Sequence, residues 1–372
     1  MAFEEVTCKL GFGLMRLPRQ GEEINIKETS EMVDLFLEAG CNYFDTAWLY
    51  TGSEEAAREA LVKRYPRERF LLATKLSAWA KCRTREDAVA QFQTSLDRSG
   101  AGYFDYYLLH NLGGNRTRFY DDFGLWDFAQ EKKEQGLIRH VGLSCHCTAE
   151  ELDEILTRHP EMEFVQLQIN YADWEDPVIQ SRKCYEVARK HGKRVIVMEP
   201  VKGGMLANPP GAVREIMEQA DAQASFASWA IRFAASLDGV DVVLSGMSNM
   251  AQMRDNLSFM SRFRELSRQE AETICQAQKA LAEIPVVPCT SCNYCVKVCP
   301  QNIGIPETFS ALNLVKLFGD RETAVLHERW NVEGQGKKTA GSCIGCGKCE
   351  SACPQRIDIR KFLQEAEKTF RP

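Results

Sequence analysis

Asn42-Tyr-Phe-Asp45, the helical stretch Glu54–Arg64 and then Phe70-Leu-Leu-Ala-Thr-Lys75 form one unit of a pattern that runs through most of this chain. A short apolar run ends on polar residues, an amphipathic stretch follows, and another apolar run begins. Further apolar runs lie at Cys8–Gly13, Asp105–Leu109, His140–Leu143, Phe164–Gln168, Arg194–Met198 and Asp241–Ser245. Amphipathic stretches lie at Ser30–Ala39, Arg85–Arg98, Asp122–Gln135, Ala149–Thr157, Val178–His191, Ala222–Ala235 and Asn249–Phe259. Strict alternation of strand and helix predicts a parallel sheet covered on both faces. Eight such units in about 260 residues fit an α/β fold of the closed (β/α)8 barrel type. An open doubly wound sheet is the alternative, but no G-x-G-x-x-G loop follows any of these strands.

The rest of the chain has a different character. Of 15 cysteines, eight lie in two runs. One is Cys289-Thr-Ser-Cys292-Asn-Tyr-Cys295-Val-Lys-Val-Cys299-Pro300, the other Cys343-Ile-Gly-Cys346-Gly-Lys-Cys349-Glu-Ser-Ala-Cys353-Pro354. Both read C-x2-C-x2-C-x3-C-P, the spacing in which three thiolates of one loop hold a [4Fe-4S] cubane and the fourth reaches the other cluster. Cys289, Cys292, Cys295 and Cys353 are therefore expected to hold one cluster, and Cys343, Cys346, Cys349 and Cys299 the other. Zinc is the competing reading of C-x2-C, but a zinc ribbon uses two pairs rather than two triplets with this sequel. The 43 residues between the runs, with a predicted helix over 306–318, make the module a longer, more helical variant of the two-cluster ferredoxin fold. Ile284-Pro-Val-Val-Pro288 reads as a semi-rigid linker into it, so the expected domains are 1–280 and 285–372.

With 46 basic and 52 acidic residues the chain is acidic, which argues against a nucleic-acid binder. Residues 285–372 nevertheless carry twelve lysines and arginines against nine acids. That excess partly offsets clusters which, with their thiolates, each carry a charge of about −2. No apolar stretch is long enough for a membrane span, the acidic start is unlike a signal peptide, and thiols used in this number without a disulfide framework fit the cytosol.

In a barrel of this type chemistry sits where strands end. Those ends give Asp45 with Tyr50 five residues on, Lys75, His110, Ser144, and Met198 followed by Glu199-Pro200. Together with Leu10-Gly-Phe-Gly13, Phe44-Asp-Thr-Ala-Trp-Leu-Tyr50, Ala73-Thr-Lys75, Leu108-Leu-His110, Gly142-Leu-Ser144, Val165-Gln166 and Gly246-Met-Ser-Asn249 with Asn256, the chain resembles an aldo-keto reductase over roughly residues 5–260. The cysteine-rich tail lies outside the usual pattern and points to a subgroup in which the barrel is fused to two clusters.

The resemblance implies a catalytic tetrad of Asp45, Tyr50, Lys75 and His110 and hydride exchange between NAD(P)(H) and a carbonyl or alcohol. Tyr50 is expected to pass a proton to the carbonyl oxygen, with Lys75 lowering its pKa. Asp45 is expected to hold Lys75, and His110 to orient the substrate. The resemblance also implies cofactor contacts at Met15, Ser144, Gln166, Met198, Pro200, Gly246, Gln252 and Asn256. The sequence departs from the family at Cys145, where an Asn is usual beside Ser144, and at Met198, where an aromatic usually stacks on the nicotinamide ring. Gly246 and Gln252 stand where NADP-preferring members carry Lys and Arg, which tilts the expectation toward NAD. Lys202-Gly-Gly204 reads either as a loop at the cofactor phosphates or as a plain turn. Ser144-Cys145-His146-Cys147 reads as one pocket residue and three core residues rather than a metal centre, because alternate residues at a strand end face opposite ways. Cys8, Cys41, Cys82, Cys184 and Cys275 are expected to be buried apolar side chains.

Three functions compete. The first is an oxidoreductase coupled through its clusters to a redox partner protein such as a ferredoxin. Nicotinamide moves two electrons and a cubane one, so that coupling needs a radical step or a splitter such as a flavin, for which there is no separate motif. The second is a reductase whose clusters are structural or sensory. The third is an electron-transfer subunit on a barrel that has lost hydride chemistry.

Overall fold

The structure is a computed structural model that describes residues 3–371; Met1 and Ala2, at the tip of the acidic start, and Pro372 lie outside it. Eight parallel strands close into a barrel. They are β1 (Leu10–Gly13), β2 (Tyr43–Asp45), β3 (Leu71–Leu76), β4 (Phe104–Leu112), β5 (Ile138–Cys145), β6 (Phe164–Gln168), β7 (Arg194–Met198) and β8 (Val240–Ser245). Each pairs with its neighbours in chain order, and β1 closes the ring onto β8 through Leu10–Val243, Gly11–Leu244 and Phe12–Ser245. The runs are apolar because both strand faces are covered. Phe12, Phe44, Leu72, Tyr107, Val165 and Val197 belong to the buried core outside the sheet, while Tyr43, Leu71, Ala73, Tyr106, Ile196 and Val242 belong to a second cluster that fills the barrel.

Two details of the sheet bear on the site. Strand β4 runs beyond the expected Leu109, and its pairing with β5 shifts between Leu109 and Leu112. Asn111 sits in this irregularity at φ +57°, so the bulge re-aims His110 at the barrel mouth. Gly142 on β5 is required by close approach: a Cβ there would lie 2.6 Å from the Phe164 carbonyl oxygen.

The covering helices start and stop on local signals. Thr84 and Asp87 form a reciprocal capping box before helix Arg85–Ser99, which ends on Gly100 in the left-handed region. Thr148, Ser225 and Asn249 cap the helices that begin at Ala149, Phe226 and Met250. The helix expected over 122–135 is instead two, Thr117–Asp122 and Leu125–Glu134, broken at Gly124 with φ +58°.

The chain divides into two compact units, Met1–Leu206 with Gln223–Ile274, and Ala207–Ala222 with Cys275–Pro372. The second is helical and built on a repeat. Each cysteine run ends in a one-turn helix, Tyr294–Lys297 or Lys348–Ser351. Each then continues through Cys-Pro-Gln-x-Ile-x-Ile into a longer helix, Ile305–Phe318 or Ile359–Phe370. Backbone conformation repeats as well, with Ser291 and Asn293 matching Gly345 and Gly347, and Asn302 matching Arg356, all at positive φ. An additional helix, Arg321–Asn331, fills the interval between the halves. Its buried Glu328 is bonded to Arg371 at 2.8 Å, joining helix and C-terminus. The expected linker is clamped at Val287, whose N–H and C=O both bond to the Asn313 side chain.

Candidate functional site

The loop after β2 keeps bonding to β3, through Thr46 N–H to the Ala73 carbonyl and Trp48 N–H to the Lys75 carbonyl, and this folds Tyr50 back over the barrel mouth. Ser53 locks the loop by bonding to Thr46 Oγ1 and to the Leu14 carbonyl. Lys75 is wholly buried, and its Nζ donates to Asp45 Oδ1 at 2.5 Å and to the Thr46 carbonyl at 2.7 Å. The same ammonium lies 5.1 Å from the centre of the Tyr50 ring. Across the mouth the His110 ring meets Tyr50 edge-on at 5.9 Å. The four residues thus converge from three neighbouring strands and one loop.

Their protonation follows from burial and pairing. Burial alone would drive Lys75 down, but Asp45 and Tyr50 more than offset it and leave the ammonium above the ordinary lysine value. Burial also pushes Asp45 up against the pull of Lys75. Two oxygen acceptors on Nζ favour the ionised pair. For Tyr50 the expected lowering is overturned: burial raises its pKa, and the opposing attraction of Lys75 is the smaller effect. Tyr50 is therefore held as the neutral phenol. Burial, with Lys75 next, pushes His110 well below the ordinary histidine value. Ser77 is fully buried and its hydroxyl has no acceptor but His110 Nδ1, at 2.7 Å, among the described residues. It therefore donates to Nδ1, and the neutral ring carries its proton on Nε2.

Sequence reasoning missed Ser77, and with it Trp79 and Tyr120, which both bond to the His110 carbonyl oxygen. Ser77 stands two residues past Lys75 and so shares its side of the strand, a signal available in the sequence. Tyr120 reaches in from a helix that no local pattern places there.

The expected cofactor contacts are less uniform. Ser144 accepts from Asn111 N–H at 2.9 Å. Gln166 directs Nε2 at the Met198 sulfur, 3.5 Å away, and leaves Oε1 buried without a partner. A buried unpaired acceptor beside this strand end fits the amide N–H of a nicotinamide. Met15 is 60% exposed, Pro200 is buried and Gly246 exposed. Gln252 spends its side-chain oxygen on Ser248 N–H, and Asn256 is buried with its amide on Ser245 Oγ. Lys202 turns inward to an ion pair with Asp173. Of the Ser144–Cys147 run, His146 alone is exposed. Of the scattered cysteines, Cys41 and Cys184 are buried, Cys8 and Cys82 partly so, and Cys275 is exposed, contrary to expectation, on the outer face of helix Arg268–Ala282.

In the second unit Cys289, Cys292, Cys295 and Cys353 surround one small cavity, with Pro306, Phe309 and Ile357 on its wall. Cys299, Cys343, Cys346 and Cys349 surround another. Each cavity thus takes three sulfurs from one run and the fourth from the other. Ile305 borders both. Burial and then the neighbouring Cys289 and Cys292 thiolates push Cys295 up to about 12, so anionic sulfurs here need a cationic centre. No group of three or more His, Cys, Asp or Glu side chains is placed to hold a single metal ion among the described residues. Four thiols around an apolar hollow suit an iron–sulfur core.

Comparison with known proteins decides the family. The profile of the Aldo/keto reductase family matches residues 9–279. The chain belongs to the aldo/keto reductase family. A 4Fe-4S dicluster domain matches residues 288–357 and follows the aldo/keto reductase barrel. An aldo-keto reductase of Mycolicibacterium smegmatis is 27% identical over 254 residues, 68% of this chain and 83% of that protein. One from Mycolicibacterium vanbaalenii is 28% identical over 239 residues, 63% of this chain and 78% of its own. The holo form of a Bacillus halodurans aldo-keto reductase shares the fold with TM-score 0.60 and 23% identity, over 73% of this chain and 92% of that one. A Klebsiella pneumoniae aldo-keto reductase, solved with NADPH, does so with TM-score 0.58 and 19% identity, over 72% and 89%. This aldo/keto reductase is an oxidoreductase with an NAD(P)(H)-type barrel and a two-cluster domain. No helix among the described residues is long and apolar enough to cross a membrane.

Proposed function

We propose that the barrel, residues 1–280, interconverts a carbonyl and an alcohol with NAD(P)(H), and that residues 285–372 exchange electrons with a one-electron carrier protein in the reducing cytosol. The observation that carries the first part is the Lys75 ammonium, gripped by Asp45 and the Thr46 carbonyl beneath the Tyr50 ring and facing His110. Ser144, Gln166 and Met198 would hold the nicotinamide. Bound there, it supplies or accepts the hydride at the substrate carbon.

The protein's own groups do the rest. His110 donates from Nε2 to the carbonyl oxygen and fixes its position. Tyr50, kept protonated by burial, gives that oxygen its proton as negative charge develops there. Lys75 stabilises the phenolate left behind, and Asp45 holds Lys75 charged. In the oxidative direction the same phenolate takes the proton back.

For the clusters, Cys289, Cys292, Cys295 and Cys353 would ligate one and Cys343, Cys346, Cys349 and Cys299 the other, in line with the two four-sulfur cavities. The exposed Cys292 and Cys346 leave each near solvent, where a carrier can approach. The test is an anaerobic absorbance and EPR titration of the iron-reconstituted protein with NADH and then NADPH. Bleaching with a reduced-cluster signal supports coupling. Clusters that dithionite reduces but neither nucleotide reduces, in an enzyme that still turns over carbonyls after Cys292→Ser, would leave the reductase and remove the coupling.

A further inference from the structure

The loop after β4 holds a guanidinium on the backbone one residue beyond His110, with no carboxylate paired to it among the described residues. Arg116 Nε donates to the Asn111 carbonyl at 2.7 Å, one residue beyond His110, and its two terminal nitrogens make no hydrogen bond or ion pair to the described residues. Of the other cations near the strand ends, Lys75 is paired with Asp45 and Lys202 with Asp173, while Arg16, on the β1 side, donates to the Gly203 carbonyl. Glu151, the carboxylate that reaches this loop, bonds to Gly114 N–H at 2.5 Å and forms no ion pair with Arg116.

A second group stands at the same edge. His146 N–H bonds to the Leu112 carbonyl at 3.3 Å, two residues past His110. Its Nδ1 meets Gln168 Oε1 at 3.1 Å, and Gln168 Nε2 is committed to the Asp173 carboxylate at 3.0 Å. The Asp173 contact fixes the amide orientation, so His146 Nδ1 is the donor and Nε2 of the neutral ring is an acceptor, which leaves Arg116 as the anion-binding group of this edge. Both groups act on His110, whose pKa is lowered by burial first, then by Lys75, His146 and Arg116. Glu199 lies on the opposite, β7 side, where its charge bears on Tyr50 and Lys202. The positive charge next to His110 is thus that of Arg116, and the carboxylate of Glu199 stands on the β7 side.

We propose that Arg116 binds a carboxylate on the substrate, so that this enzyme prefers aldehydes or ketones that carry an anionic group near the reacting carbonyl. This rests on the carbonyl-reductase reading above. With the carbonyl oxygen on Tyr50 and His110, a carboxylate further along the molecule meets Arg116 on one side and is repelled by Glu199 on the other. A planar guanidinium with both terminal nitrogens free suits two parallel bonds to a carboxylate.

The test compares the monoaldehyde of terephthalic acid with its methyl ester, which has nearly the same shape and no charge. The wild-type holoenzyme should show kcat/KM for the acid at least about tenfold above the ester, mostly through KM. Arg116→Gln should erase that ratio and Arg116→Lys restore part of it. Equal rates with both substrates in the wild type would overturn the proposal. So would an equal loss on both in Arg116→Gln, which would make Arg116 only a brace for the Asn111 carbonyl. Turnover of neither aldehyde would sink the reductase reading instead. Quenching of tryptophan fluorescence by the acid then decides this inference, because Trp79 bonds to the His110 carbonyl. Quenching that is identical in wild type and Arg116→Gln overturns it.

Discussion

Replacing Lys75 by Met removes the positive half of an ion pair whose two side chains are 0% and 5% exposed. Asp45 Oδ1 loses its partner at 2.5 Å, and Oδ2 already has none. A carboxylate is then buried with no counter-charge. Breaking a buried pair from one side costs about 3–5 kcal/mol, far more than the pair contributes over an apolar substitute. For a unit of this size that corresponds to a fall in melting temperature of about 6–20 °C. Neutralising the survivor should repair much of the damage, so Asp45→Asn combined with Lys75→Met should melt well above Lys75→Met alone, while remaining inactive. Tryptophan fluorescence under anaerobic heating is the assay, since Trp48, Trp79, Trp126, Trp174 and Trp229 all lie in the first unit and Trp330 in the second. Melting of Lys75→Met within about 2 °C of wild type would refute the reasoning, because it would mean that no charge is stranded. A double variant no better than the single would do the same.

Tyr50→Phe should keep the fold and lower kcat by about 10²–10⁴-fold, the usual worth of a positioned proton donor, as read by NAD(P)H oxidation with a carbonyl substrate; a loss below about threefold would remove Tyr50 from the chemistry. Cys353→Ser should cost the same cluster as Cys292→Ser, so the pair of substitutions together should leave about four of about eight irons per chain, whereas Cys353→Ser with Cys349→Ser should lose nearly all; iron analysis reads the difference, and the reverse pattern would unpick the crossed ligand sets. His140 sits between Glu5 and Glu163 at 2.9 Å from each. Burial lowers its pKa, but the two carboxylates raise it further, for a net rise. The stability it contributes is therefore present below its unfolded value and lost as pH rises through the folded one. The urea midpoint of wild type minus that of His140→Gln should shrink between about pH 6 and about pH 8.5, and a constant gap would contradict the charged histidine.

Much of the barrel is legible in the chain because its strands are buried on both faces and must therefore read as apolar runs. The same property blurs their ends. Nothing local marks the bulge that carries β4 to Leu112, since the cause is a change of pairing with β5. Helix Gly211–Ala220 is hidden by Asn208-Pro-Pro, which reads as loop punctuation, yet Pro210 is the residue that opens the helix. The break at Gly124 shows the opposite error, an amphipathic pattern continued across a left-handed glycine. At the mouth, Asp45, Tyr50, Lys75 and His110 could be picked out because strand ends fix where such side chains meet. Ser77 could have been found by the same alternation. Arg116 and Tyr120 could not, because their positions depend on how one long loop folds back. Spacing dictates which three thiols share a loop, and the structure groups each triplet with one cysteine of the other run around a cavity.

Residues 207–222 begin five positions after Lys202 and yet group with the cysteine-bearing unit rather than with the barrel. The peptide backbone therefore passes from one unit to the other three times, after Leu206, Ala222 and Ile274. A single protease nick in 284–288 would cut the chain without freeing the iron-binding piece, since helix Gly211–Ala220, with Val213 and Met217 buried, would still be tethered to the barrel and packed in the other unit. A recombinant fragment ending near residue 280 would strip that helix of its partners and present its apolar side to water.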